Sequence, residues 1–221
     1  LLKEPTAWLN LKSDKKKSEK NAKSGSMAEM FRHKTWRKNA IIGLLLGVSG
    51  MIGLWGIGFF SPELISEALK GEKQEVIDQV RGQGTILFDI GAFLGMSAFT
   101  FVATLVSRRM AFLIFLILSM AATIFVFNSL NSASDAYWML PMMGFAQLSL
   151  FAGYSIYFPE LFPTRLHGTG VGFCYNTVRY LAAPAPILLA YLSTTLSFRE
   201  GASLMACVYS WNHCLNLGTR N

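Results

Sequence analysis

The sequence is dominated by uncharged apolar runs about as long as a lipid bilayer is thick. The first complete run, Asn39–Phe60, has 22 residues and no charged side chain. About 20 apolar residues in an α-helix cross the ~30 Å hydrocarbon core of a bilayer. Similar runs occupy Thr85–Val106, Met110–Phe127, Tyr137–Phe158 and Gly168–Leu196, and a partial one occupies Ala202–Tyr209. The sequence therefore predicts several helices that span a membrane.

The composition favours an integral membrane protein over a soluble domain. Hydrophobic residues make up 52% of the chain and charged residues 15%, whereas about 25% of the residues in soluble domains are charged. We therefore predict an all-α integral membrane fold in which residues 39–209 form a transmembrane helical bundle. Residues 1–38 precede that bundle, and residues 210–221 are a polar tail that follows it.

Glycines recur every three or four residues along the first run, at Gly43, Gly47, Gly50, Gly53 and Gly56. Small residues at this spacing allow the backbones of two membrane helices to approach closely. We interpret this face as a close packing surface. The alternative is a helix that bends or slides during a conformational cycle.

The segment Lys3–Lys38 is strongly basic, with 11 Lys and Arg residues against 4 Asp and Glu. Such a run is typical either of a nucleic-acid-binding arm or of a solvated loop beside a membrane span, and its position favours the loop. Cytoplasmic loops are enriched in Lys and Arg. Placing this segment inside also puts Arg108, Arg109 and Arg165 inside, whereas the opposite loops hold only four cations. We therefore predict a multi-pass protein of the cell membrane with residues 1–38 in the cytoplasm and no nucleic-acid partner.

A polar hinge separates the fourth and fifth runs at residues 158–172, which read F-P-E-L-F-P-T-R-L-H-G-T-G-V-G. Its irregular backbone cannot lie in hydrocarbon, because its polar groups would have no hydrogen-bonding partners there. The charge count therefore places it at the cytoplasmic surface. Glu160 and Arg165 are close enough in sequence to pair with each other or with neighbouring helix ends.

This hinge resembles the signature that follows the tenth span in the major facilitator superfamily, especially in its sugar-porter and metabolite/proton-symporter branches. The resemblance implies the carboxyl-terminal six-helix half of a twelve-helix carrier, with the amino-terminal half as its partner. It also implies a cytoplasmic gating motif, whose residues here are Glu160, Pro163, Arg165, Gly168 and Gly170. The family's other loop motif, G-x-L-A-D-R-x-G-R-R, is matched only at Arg108 and Arg109. After Ala202–Tyr209 the sequence becomes polar, so by comparison with the family we expect the last helix to be shortened or altered near Ser210.

Ionisable residues inside apolar runs are candidates for the transport site, because a buried charge in a membrane is costly. Arg179 lies about 16 Å past Gly168 at 1.5 Å per residue, near the middle of the membrane. It could bind a substrate carboxylate, or it could form a structural pair with Asp89. Asp89 could instead carry a coupled proton. The uncharged candidates for the substrate path are Gln147, Tyr154, Tyr175 and Asn176.

No other chemistry is indicated. Cys174, Cys207 and Cys214 have no metal-ligand spacing, and no nucleotide-binding glycine loop is present, so we predict no cofactor and no enzymatic activity. We expect a secondary carrier that moves a small polar organic solute (a sugar, a sugar acid or an organic acid) by alternating access, coupled to protons. The alternative is a degenerate or truncated membrane protein that does not transport and acts as a structural or interaction module.

Overall fold

The structure is a computed structural model that describes residues 26–207. The first 25 residues of the predicted basic loop, and the predicted polar tail, lie outside the described residues. Residues 26–207 are helical almost throughout. The only β structure among them is an isolated bridge between Lys70 and Glu72. The predicted all-α fold is confirmed.

The helices follow one another in simple chain order. We number them α1 (Met27–Arg32), α2 (Lys34–Met51), α3 (Ser61–Ala68), α4 (Gln74–Leu105), α5 (Arg108–Ser129), α6 (Ala133–Glu160), α7 (His167–Ala182), α8 (Ala185–Thr195) and α9 (Phe198–Ala206). Four segments of the described chain are long and apolar enough to cross a membrane: Lys34–Leu54, Gln74–Leu105, Arg108–Ser129 and Ala133–Glu160.

Helix α6 lies at the centre of the bundle. Its most extensive contact is with α4, and it also packs against α2, α5 and α7. Three glycines make the contact with α4 unusually close. A Cβ atom added at Gly91 would overlap the backbone carbonyl of Pro141, one at Gly95 would overlap that of Phe145, and one at Gly144 would overlap that of Phe88. The two backbones therefore touch directly, which only residues without a side chain permit.

Helix α2 also packs through its glycine face, as the sequence predicts. Gly43 lies against Cys174 and Leu161, and Gly47 lies against Val178, which an added Cβ would approach to 2.8 Å. A Cβ at Gly50 would overlap the Tyr154 hydroxyl. The packing role predicted for these three glycines is confirmed.

The helix that begins at Lys34 loses its regular geometry in its second half. The α-helix ends at Met51 and continues as a π-helix over Ile52–Ile57 and a 3-10 turn over Gly58–Phe60. Short π segments in membrane helices need neighbouring polar groups or close packing to compensate for the altered hydrogen bonding. The π-helix packs mainly against α8 and α9 and less against α6, so α8 and α9 surround the segment in which the hydrogen-bond geometry changes.

The helix ends are defined by local chemistry. Ser132 and Asp135 form a reciprocal capping box at the start of α6, and Ser197 and Glu200 form a second one at the start of α9. The backbone N–H of Ser197 donates to Glu200 and lowers the pKa of that carboxyl. Between α7 and α8 the helix is interrupted at Pro184, which cannot donate a backbone hydrogen bond.

Candidate functional site

Two ion pairs join helix ends on one side of the bundle. Arg108, at the start of α5, pairs with Glu160, at the end of α6. Arg165, in the hinge after α6, lies 2.6 Å from Glu29 of α1. Glu160 and Arg165 therefore reach neighbouring helix ends rather than each other. Arg109 lies beside Arg108 at the start of α5.

Helix α1 is attached to the hinge by more than this one ion pair. Met30 is fully buried, and the Phe31 ring lies 5.1 Å from that of Phe173, edge to face. The Arg165 guanidinium lies 5.1 Å from the Trp36 ring centroid, a cation–π distance. Sequence reasoning missed Glu29 as part of this network, although it is the only acid in the basic stretch Met27–Lys38.

The other hinge residues act on the backbone. Pro163 precedes the 3-10 turn Thr164–Leu166 in an extended conformation, with φ of −64° and ψ of 152°. A Cβ at Gly170 would overlap the Phe162 ring, whereas one at Gly168 would have no neighbour within 4 Å. The side-chain amide of Asn39 in α2 donates to the Leu161 carbonyl at 2.7 Å. The chain direction between α6 and α7 is thus fixed by packing at Gly170 and by one hydrogen bond from α2.

A chain of buried polar groups crosses the interface between α5 and α6. Gln147, about 2% exposed, donates from Nε2 to Thr123 Oγ1 at 2.8 Å. Thr123 uses its own proton to donate to the Ser119 carbonyl at 2.7 Å, so it can only accept from Gln147. This fixes the orientation of the Gln147 amide and points Oε1 at Gly58, in the 3-10 turn. That oxygen has no hydrogen-bond partner among the described residues.

Tyr154 is also buried in the bundle. Its hydroxyl donates to the Leu46 carbonyl at 3.2 Å, and its ring stacks on Phe158 with centroids 5.2 Å apart. Tyr175 is half-buried, and its hydroxyl lies 3.1 Å from Ser155 Oγ. Gln147 and Tyr154 are therefore engaged inside this half of the molecule, while Tyr175 lies at its edge.

Arg179 and Asn176 lie on the exposed face of α7, one turn apart, opposite the buried residues Cys174 and Val178. The Asn176 side-chain amide donates to the Gly172 carbonyl at 2.7 Å. Asp89 lies on the exposed face of α4, a different helix that packs mainly on α6. No ion pair joins Arg179 to Asp89 in the described part of the chain.

The described residues contain no group of three or more His, Cys, Asp or Glu side chains placed to hold a metal ion.

The predicted site residues occupy two kinds of position. One set is hydrogen-bonded within the bundle and consists of Gln147 and Tyr154. The other set lies on the outer faces of α4 and α7 and consists of Asp89, Asn176 and Arg179, with Tyr175 at the edge. The helix-end ion pairs form a separate network at one end of the bundle.

A family model described as the Major Facilitator Superfamily matches residues 3–206. The chain belongs to this family. Among known proteins it is similar to the cis,cis-muconate transport protein of Acinetobacter baylyi, with 25% identity over 206 residues, which cover 93% of this chain and 48% of that protein. It is also similar to the probable 4-methylmuconolactone transporter of Cupriavidus pinatubonensis, with 21% identity over 188 residues, 85% of this chain and 42% of that protein. No solved structure matches.

The chain thus spans less than half the length of either relative. Family membership and the apolar helices make it part of a multi-pass membrane protein. The match to a family of carriers also confirms the prediction that it is not an enzyme.

The Gln147–Gly58 contact predicts a specific pair of mutational effects. A Cβ at Gly58 would overlap Gln147 Oε1. Gly58→Ala should therefore displace the Gln147 amide from Thr123 and lower the free energy of unfolding by about 1–3 kcal/mol. In a Gln147→Ala background the overlap is gone, and Gly58→Ala should cost much less. Gly82→Ala is the matched control, because a Cβ there has no neighbour within 4 Å. Thermal unfolding of the purified protein in detergent measures all four variants, and an equal penalty for Gly58→Ala in both backgrounds would contradict the contact.

Proposed function

We propose that this chain is the carboxyl-terminal half of a secondary carrier that moves a small organic acid by alternating access. The observation that carries the proposal is Arg179, an exposed cation midway along the α7–α8 segment with no acidic partner in residues 26–207. The two relatives named as muconate and methylmuconolactone transporters support the same class of solute. They favour an organic acid over the neutral sugars suggested by the sugar-porter resemblance.

The energetic cost of Arg179 supports a role in transport. Residues 167–195 are long enough to cross a bilayer, and Arg179 lies about 18 Å from His167 at 1.5 Å per residue. An arginine at this depth costs at least ~2.5–3.5 kcal/mol on insertion scales unless water or a counter-ion reaches it. A water-filled path between the two halves of the carrier supplies the water, and a substrate carboxylate supplies the counter-ion. The planar guanidinium can hold that carboxylate through two parallel hydrogen bonds.

The neighbours of Arg179 define the rest of the proposed substrate path. Asn176 lies one turn away, and Tyr175 lies at the edge of the same surface. Gln147 and Tyr154 are engaged inside the bundle, so we give them a supporting role that holds α2 and α5 against α6.

The ion pairs at the helix ends fit a gate that opens in every transport cycle. Arg108 and Glu160 are each about half exposed, and exposed ion pairs contribute only about 0.2–1 kcal/mol. A pair this weak can break and re-form without a large barrier. We therefore propose that Arg108–Glu160 and Arg165–Glu29 brace the cytoplasmic helix ends in one state and separate in the other. Both pairs lie on the side that the excess of Lys and Arg assigns to the cytoplasm, in a cell-membrane protein.

Proton coupling is the second part of the proposal. Asp89 lies about 9 Å along α4 from Gln83 at 1.5 Å per residue, and Gln83 accepts a hydrogen bond from Tyr137, a residue type enriched at membrane interfaces. This contact supports a position for Asp89 within the membrane but near one surface, where water can deliver a proton. A carboxyl group there can bind and release a proton as its exposure changes during the cycle.

Arg179→Ala should lower the uptake of an organic acid such as cis,cis-muconate by about 10–100-fold, the equivalent of one hydrogen-bonded charge. Arg179→Lys keeps the charge but not the two parallel donors, and should give an intermediate rate. The measurement is initial uptake into vesicles that contain the product of the full reading frame around this chain. Uptake unaffected by Arg179→Ala would remove Arg179 from the substrate site. Absence of uptake of any acid or sugar by folded protein would favour a non-transporting membrane protein.

Asp89→Asn should abolish the acceleration of uptake by an imposed pH gradient while leaving exchange of labelled for unlabelled solute at equal pH. The reason is that an amide cannot carry the proton, although it retains the shape of the side chain. Uptake driven by a pH gradient and exchange are both measured in the same vesicles. A gradient response that survives in Asp89→Asn would assign the coupling to another group.

A further inference from the structure

The exposed basic face at the start of α2 has no role in the proposed transport site. Lys34, Arg37 and Lys38 are spaced three and four residues apart, so their side chains share one side of the helix. All three are exposed. No ion pair involves them within residues 26–207, and the nearby carboxylate of Glu29 is paired with Arg165.

The same face becomes apolar one turn further along. Ile41 continues the stripe and is 49% exposed, and Leu45 follows it with partial exposure. The opposite face of α2 is occupied, because Ala40 is fully buried and Asn39 donates to the hinge. The three cations therefore lie directly beyond an exposed aliphatic strip on a single helix face.

The level of the membrane surface is indicated by Trp36. Tryptophan is enriched where headgroups meet hydrocarbon, and Trp36 lies next to Arg37 in the sequence. The cations are thus at headgroup depth, and Ile41 and Leu45 are at the depth of the acyl chains. A phospholipid is complementary to this face, because its anionic phosphate lies at the depth of the cations and its acyl chains lie at the depth of Ile41 and Leu45.

We propose that this face binds an anionic phospholipid, with its headgroup on Lys34, Arg37 and Lys38 and one acyl chain along Ile41 and Leu45. Cations near an anionic membrane surface each strengthen association roughly fivefold. A zwitterionic lipid lacks the net charge that this cluster would neutralise. A lipid bound here contacts the start of α2, which follows directly after α1. Helix α1 is in turn connected to the hinge by the Glu29–Arg165 ion pair.

The test uses the product of the full reading frame around this chain, purified in neutral detergent and incubated with phosphatidylglycerol or phosphatidylcholine. Native mass spectrometry counts the lipids that stay bound, independently of any transport activity. Unaltered protein should retain phosphatidylglycerol preferentially. Lys34→Gln/Lys38→Gln should lower that retention by about 25-fold, at roughly fivefold per cation, with an unchanged unfolding midpoint because both side chains are exposed.

Lys70→Gln/Lys73→Gln is the matched control, since it removes the same charge from an exposed turn between α3 and α4. It should retain phosphatidylglycerol like the unaltered protein. An equal loss in both double variants, or equal retention of the two lipids by unaltered protein, would overturn the proposal. Ile41→Ser should also weaken lipid retention. If it does not, or if soluble glycerol phosphate displaces the lipid completely, the face recognises a phosphate rather than a phospholipid, and the proposal fails.

Discussion

The direct backbone contact between α4 and α6 is the constraint on which the rest of this bundle depends. Gly91, Gly95 and Gly144 bring the two helices close enough that any side chain at these positions would overlap a carbonyl group. In a membrane the hydrophobic effect does not drive helices together, so this close van der Waals contact is a main source of cohesion. It fixes α6 in the centre, and α6 in turn positions α5, α7 and the hinge.

The polar side chains around α6 are of two kinds: buried groups that are hydrogen-bonded to other helices, and exposed charged groups without an ion-pair partner among the described residues. Gln147 and Tyr154 donate hydrogen bonds to α5 and α2. Both bonds are buried, so they do not compete with hydrogen bonds to water. Arg179 and Asp89 have charges, lie on exposed faces and have no ion-pair partner among the described residues. A charge inside a membrane needs water, a counter-ion or a partner. Apart from Gln147 Oε1, the buried polar groups named here are hydrogen-bonded within the bundle. The outer face of α7 instead carries Arg179, a cation that is unpaired within residues 26–207, and we propose that the solute binds there.

Sequence alone predicted the helical class, the glycine packing face and the hinge, because each depends on composition or short-range spacing. It could not predict which way each polar side chain faces, since that depends on helix rotation set by distant contacts. For this reason Gln147 and Asn176 were equivalent candidates in the sequence but occupy opposite environments in the structure. The helix α4 begins at Gln74, whereas the apolar run begins at Thr85, because a helix continues in water beyond the hydrocarbon. The Glu29–Arg165 pair joins residues far apart in sequence, and no local pattern indicates it.

The central claim is that the Asn176–Arg179 face of α7 is in contact with water in the membrane. It is tested most directly by single cysteines placed at Asn176, at Arg179 and at Val178, a control on the buried side of α7 that is 1% exposed, in protein whose native cysteines are replaced by serine. A membrane-impermeant thiol reagent should modify positions 176 and 179 but not 178, and an excess of the organic acid that the carrier takes up should slow the modification. Unreactive cysteines at both 176 and 179 would contradict the account, because this face would then be in lipid or protein rather than in a solute path.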